Sequence, residues 1–286
     1  MYVAVFTGLF IYLYLLGYKP WYYLFDNFNI FIVVSTMSGI AIFVQAASFR
    51  EVQPLGTKKL SWIKLTKIWS FSGVVSVIAP VFAGLATRTT LLVNEGMSLS
   101  VCVAASARQI WMGVEYALLL GGVAGFFVGL PRVQFFATLF IVWGGGMVSL
   151  RLYSARLQLK PHVKTLRWIE TFSVPVLARA HPWFIVQLGA MAVIYYVAFN
   201  GLGATMALHE AILLASITIL ASLIVLIPNG LGIMDVIWVA VARESGLGLE
   251  QSVSLAIIIR LAYLVSALVV WVVILAVKKI MYRNSE

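Results

Sequence analysis

The chain has 286 residues, 62% of them hydrophobic and only 10% charged, with a mean hydropathy of +1.01. Soluble domains carry roughly 25% charged residues, so this composition excludes a sizeable water-soluble domain and points to an all-α polytopic membrane protein over 1–286. The net charge of +10 is read as the excess of Lys and Arg on cytoplasmic loops, with a share meeting anionic headgroups, and no nucleic-acid partner is expected. Cys102 is the single cysteine, so one chain can build neither a disulfide nor a cysteine metal site.

A bilayer-spanning helix needs about 20 mostly apolar residues. In chain order, such runs lie at roughly 2–17, 28–48, 98–129, 133–152, 183–202 and 251–277. The first follows no positive leader and no small-residue cleavage site, so it is expected to be a retained helix rather than a signal peptide. Two further apolar stretches are interrupted. One, about 66–95, is broken by Pro80 and Gly84. The other, about 205–246, is broken by Pro228, Asn229, Gly230 and Gly232. Proline removes a backbone donor and clashes with the preceding turn, and clustered glycines favour a tight turn.

Loop charge decides between crossing and turning back. Basic residues cluster in 50–67, in 151–181 and in the tail (Lys278, Lys279, Arg283). If both broken stretches cross, the middle cluster falls opposite the other two. If both are re-entrant hairpins, six spans remain and all three clusters share one side. The positive-inside rule therefore predicts six spans and two hairpins, in the cell membrane with both termini cytoplasmic. The segment 151–181 mixes apolar and basic residues and reads either as an interfacial amphipathic helix or as a plain cytoplasmic linker, about 153–181.

The interrupted stretches share an order: Pro80, Gly84, Gly96, Arg108 in one and Pro228, Gly232, Gly246, Arg260 in the other. Each follows one apolar helix and leads into another. This predicts repeat A at about 28–129 and repeat B at about 183–277, starting on opposite faces as an inverted repeat, an arrangement used by many transporters. Broken backbone at membrane depth is tolerated where it packs on protein or lines a wet cavity.

Arg108, Arg260, Glu115, Glu210 and Asp235 lie in apolar runs. A charge at that depth costs roughly 2.5–3.5 kcal/mol on insertion scales. Two readings follow. Arg88, Arg108 and Arg260 present planar, permanently charged forks to a phosphate, or they pair with Glu115, Asp235 or Glu210 and hold the bundle. Asp235 either pairs with Arg260 or serves as a proton or ion site. Glu210, beside His209 after Gly203, reads as a helix cap at the interface. The nine Trp and twelve Tyr read as belt and packing residues without a stacking site. Gly144, Gly145 and Gly146 read as a close-packing helix face. No nucleophile elbow, phosphate loop or zinc helix is present. His162, His181 and His209 are dispersed, and no paired acidic motif appears. Neither a cofactor nor a metal is expected.

Around Pro228, Gly230, Gly232 and Asp235, followed by Gly246 and Arg260, the chain resembles the lysylphosphatidylglycerol synthase transmembrane family, a flippase-like domain group. The family pattern is Pro-Gly-Gly-Leu-Gly, an acid three residues later, a glycine, and an Arg in the final helix. Asn229 replaces its first glycine and Asp235 its usual Glu. The earlier element, Pro-x3-Gly-acid-x2-Arg, is matched by Pro80, Gly84 and Arg88, with Leu85 at the acid position. The resemblance implies movement of a lipid between leaflets, with Arg88, Arg108, Arg260, Asp235, Asn229, Gly230 and Gly232 contacting substrate and Pro80, Gly84 and Pro228 forming the breaks. Expected partners are membrane lipids with an anionic headgroup or a polyprenyl phosphate, together with a second copy or a synthase. Fused members carry an aminoacyl-transferase; the chain ends at Glu286, so that activity is expected to be absent, and no enzyme activity is predicted. The rival expectations are a membrane glycosyltransferase or lipid-modifying enzyme with a polyprenyl-phosphate donor, and a non-catalytic accessory subunit of a synthase.

Overall fold

The computed structural model describes residues 26–53, 57, 59–78, 83–156, 174–224 and 233–283. The predicted first helix, most of the 153–181 linker, and Pro80, Pro228, Asn229, Gly230 and Gly232 lie outside these residues. Every described element is a helix: α1 (Phe28–Glu51), α2 (Trp62–Ile78), α3 (Ala83–Asn94), α4 (Leu99–Phe127), α5 (Pro131–Arg156), α6 (Val174–Gly201), α7 (Leu208–Ile224), α8 (Ile233–Glu244) and α9 (Leu249–Arg283). Among the described residues five stretches are long and apolar enough to cross a bilayer: Phe28–Glu51, Leu99–Phe127, Pro131–Leu150, Arg179–Gly201 and Leu249–Val277. They coincide with five of the six runs read from the sequence.

Helix α1 shows why this is a membrane bundle. One face, with Val34, Ser38, Ala41, Ile42 and Phe49, is buried, while Phe28, Ile32, Val33, Ile40 and Phe43 point outward. A helix apolar all round is stable only when lipid or protein covers every side. Lipid offers no hydrophobic drive to associate, so small residues that let backbones approach do that work. Accordingly α1 packs along α6, each burying several alanines, among them Ala41, Ala46 and Ala47 in one and Ala192 and Ala198 in the other. Of the three glycines read as a packing face, Gly144 of α5 lies against Leu119 of α4, where a Cβ would come within 2.9 Å of that side chain, whereas a Cβ at Gly145 or Gly146 would meet nothing within 4 Å.

One boundary differs from the sequence expectation. Helix α6 begins at Val174, not near 183, and runs through Pro182. The proline loses one backbone bond, but its neighbours Ala180 and Phe184 are both buried in the core, and this packing carries the helix through.

The two interrupted stretches fold alike. Each gives a helix of 17 residues, then one of 12, then a long one of 29 or 35. At 1.5 Å per residue, 17 residues reach about 25 Å and 12 about 18 Å, both short of the roughly 30 Å apolar core. The same turn joins the short helix to the long one. Gly96 and Gly246 have φ of 91° and 93°. The following residue bonds back five positions, Met97 N to Leu92 O at 3.1 Å and Leu247 N to Ala242 O at 3.0 Å. This left-handed cap satisfies carbonyls at a helix end and favours glycine. The pairing also alternates between the two units, since α2 packs on α9 and α7 packs on α4.

Within the first stretch the arms run antiparallel. Lys64 at the start of α2 pairs with Glu95 just after α3, at 2.5 Å. Arg88 reaches Ser72 midway, and Gly84 meets Ser76 and Ser72 at the far end. In the second stretch α8 leans on α9 instead of lying along α7.

Gly84 is the tightest point. A Cβ there would fall 1.7 Å from Ser76 Oγ and 2.9 Å from the Ser72 carbonyl oxygen. The serine can rotate away; the carbonyl cannot. Gly84→Ala is expected to lower stability by about 1–3 kcal/mol, read as a lower Tm in detergent, and Ser76→Ala should restore only part of it.

Candidate functional site

Arg260 lies in α9, three turns beyond its start, with its side chain 7% exposed. It donates through Nε to Asp235 Oδ1 at 2.6 Å and through Nη2 to Asp235 Oδ2 at 2.8 Å. This is the two-pronged geometry that makes arginine–carboxylate contacts strong. Asp235 sits in the first turn of α8, where the helix dipole favours a negative charge. Its side chain is 28% exposed, so the pair is sealed on the arginine side and open on the aspartate side. The guanidinium carbon also stands 5.5 Å from the Trp238 ring centre. Tyr195 of α6 packs against Trp238, and its hydroxyl donates to Thr218 of α7 at 3.1 Å.

Arg88 of α3 is held differently. Its guanidinium lies over the Trp69 ring, 4.3 Å from the centre, and its Nε donates to Ser72 Oγ at 3.3 Å. Among the described residues no carboxylate pairs with it. A cation over an indole gains about 0.5–2 kcal/mol, which orients the charge without neutralising it. The two arginines are joined through α9. Tyr263, one turn beyond Arg260, places its hydroxyl 2.9 Å from the Cβ position of Gly73, next to Ser72.

Arg108 stands apart from this pair. It is 4% exposed, and its Nη1 donates to the carbonyl of Val52 at 2.9 Å. Val52 is the C-cap of α1, so Arg108 places positive charge on a helix C-terminus, where the dipole welcomes it. Its neighbour Gln109 donates to the Gln45 carbonyl and to Ser48 Oγ, also on α1. Glu115 is buried in α4, and Glu210 accepts from the Ala207 amide at 2.7 Å. The latter is the capping role read from the sequence.

Trp69 and Trp238 were not anticipated as partners of charge. The tryptophans are not only packing and belt residues, since Arg50 also stacks on Trp62 at 4.6 Å. No local signal marks these contacts, because Trp69 and Arg88 lie on different arms of a hairpin and Trp238 and Arg260 on different helices.

These features define a polytopic all-α membrane protein with charged residues gathered where two short helices meet a long one. The family model described as lysylphosphatidylglycerol synthase TM region matches residues 2–270. The chain belongs to that family, a membrane domain of lipid-related proteins. No curated protein and no solved structure matches it.

The Asp235–Arg260 contact gives a measurable expectation. Asp235→Ala or Arg260→Ala alone should cost about 2–4 kcal/mol, less than a wholly buried pair because Asp235 is partly exposed. The double variant should lose clearly less than the two single losses added together, as read by a double-mutant cycle on thermal unfolding in detergent.

Proposed function

We propose that the protein moves an anionic lipid, a phospholipid or a polyprenyl-phosphate-linked glycolipid, between membrane leaflets. In this reading α2–α3 and α7–α8 are re-entrant hairpins entering from opposite faces of the cell membrane, within an inverted repeat whose termini are cytoplasmic. Their short arms, near 25 and 18 Å, support this, as does the repeated 17-then-12 order.

The observation that carries the reading is the difference between two arginines. Arg260 is already neutralised by Asp235. Arg88 is oriented by Trp69 and Ser72, and no described carboxylate pairs with it. A cation held at membrane depth without a counter-charge is costly, and a phosphate would relieve that cost. Arginine suits a phosphate because its fork matches two oxygens and its charge persists. The lipid tails would stay in the bilayer while the headgroup passed along α9, in alternating access. The reading is transport rather than a chemical reaction, since the carboxylate at the site is engaged by Arg260 and poorly placed as a base.

Proteoliposomes carrying a fluorescent anionic phospholipid test this. Dithionite quenching of the outer leaflet should show lipid exchange with the wild type, slowed at least tenfold by Arg88→Ala and less by Arg88→Lys. Equal rates for wild type and Arg88→Ala would sink the role given to Arg88.

A further inference from the structure

Arg88 is held from one side only. Its Nε donates to Ser72 Oγ at 3.3 Å, and that hydroxyl donates in turn to the Trp69 carbonyl at 3.0 Å. Ser72 is therefore committed to orienting the guanidinium. The remaining N–H groups, on Nη1 and Nη2, meet no acceptor among the described residues. The segments 1–25, 79–82 and 225–232 contain no Asp or Glu that could neutralise them. The open end of the guanidinium is itself a two-donor fork of the kind that fits a pair of phosphate oxygens.

Helix α9 brings a second donor to the same place. Tyr263 is half-buried, one turn beyond Arg260. Its hydroxyl lies against α2 at Gly73, the residue after Ser72, 2.9 Å from where a Cβ would stand. Glycine is a poor helix former, and this contact explains one inside α2, since any side chain there would push the hydroxyl away. Tyr263 lies close enough to Arg88 for the charge of one to act on the other. A tyrosine hydroxyl in apolar surroundings usually finds a partner. That of Tyr195 does, donating to Thr218. That of Tyr263 makes no hydrogen bond to a described residue.

We propose that Tyr263 is a second ligand of the headgroup, donating its hydroxyl to the phosphate that Arg88 grips. A phosphate presents several oxygens, so one edge takes the Nη fork while another oxygen accepts from the phenol. The neutrality of this donor matters. Arg88 alone balances a singly charged phosphate, and a second cation would leave the loaded site charged at membrane depth, which is costly. A hydroxyl adds a bond without adding charge, and low polarity around the site strengthens that bond. Consecutive residues of α2 set up the two donors. Ser72 orients Arg88 and Gly73 seats Tyr263, so both are positioning residues and neither needs to touch the lipid.

This inference rests on the transport reading, and the experiment separates the two. The purified full-length protein, in an uncharged, phosphate-free detergent, is titrated calorimetrically with a short-chain phosphatidylglycerol. Wild type should bind. Tyr263→Phe should bind about tenfold more weakly, the loss expected for a hydrogen bond to a charged acceptor, with Tm unchanged. Gly73→Ala keeps the phenol but displaces its hydroxyl, and should also weaken binding, which guards against a folding defect in the phenylalanine variant. Adding Gly73→Ala to Tyr263→Phe should change the affinity no further, because with the hydroxyl gone the nearest ring carbon stands 3.5 Å from the new Cβ, an ordinary contact. Wild-type affinity in either single variant overturns the proposal alone, as does a further loss in the double variant. Dimethyl phosphate, a diester without tails, should compete only weakly. Competition equal to that of the lipid, or no lipid binding by the wild type, overturns the transport reading and this proposal with it.

Discussion

The contact of Arg260 with Asp235 is the interaction on which the second half of the molecule depends. Helix α8 is only 12 residues long, follows Pro228, Gly230 and Gly232 in the sequence, and makes little contact with the helix before it in the chain. In water such a helix would be marginal by itself. Here two charge-assisted hydrogen bonds fasten its first turn to α9, and Trp238, one turn on, packs between that arginine and Tyr195. The long helix therefore sets the position of the short one.

The same constraint governs the other charges in the bundle. A guanidinium in an apolar surrounding must find acceptors, a counter-charge or an aromatic face, and the three arginines use three different solutions. Arg260 has a carboxylate. Arg108 has a helix C-terminus, which fixes α4 against the end of α1. Arg88 has an indole and a hydroxyl, the weakest of the three. The residue least neutralised by the described residues is the one with most to gain from an added anion. On the proposed reading, that ranking, rather than the presence of arginine alone, sets Arg88 apart from the other two.

Packing follows from lipid as solvent. Since the outer faces of α1 and α5 are as apolar as the core, close approach by small residues holds the helices together. Gly84 carries this furthest, because the arms of the first hairpin could not lie so close with any side chain there. Gly96 and Gly246 serve a different purpose, ending the short helices in a left-handed turn that satisfies their last carbonyls.

The sequence by itself determined the membrane class, five of the spans, the two interruptions and the capping role of Glu210. These are local quantities: run length, apolar fraction, proline and glycine positions, and a carboxylate three residues from a helix start. It offered the pairing of Arg260 with Asp235 as one of two readings, and the structure decided for the pair. Only the tertiary structure decided that Arg108 caps α1 from 56 residues away and that Trp69 and Trp238 lie beneath arginines. It also decided that α6 continues through Pro182 and that α8 leans on α9 rather than on α7. Each of these depends on which helices become neighbours. In an apolar chain that choice leaves no period or motif to read, because every face of every helix is greasy enough to be either buried or bathed in lipid.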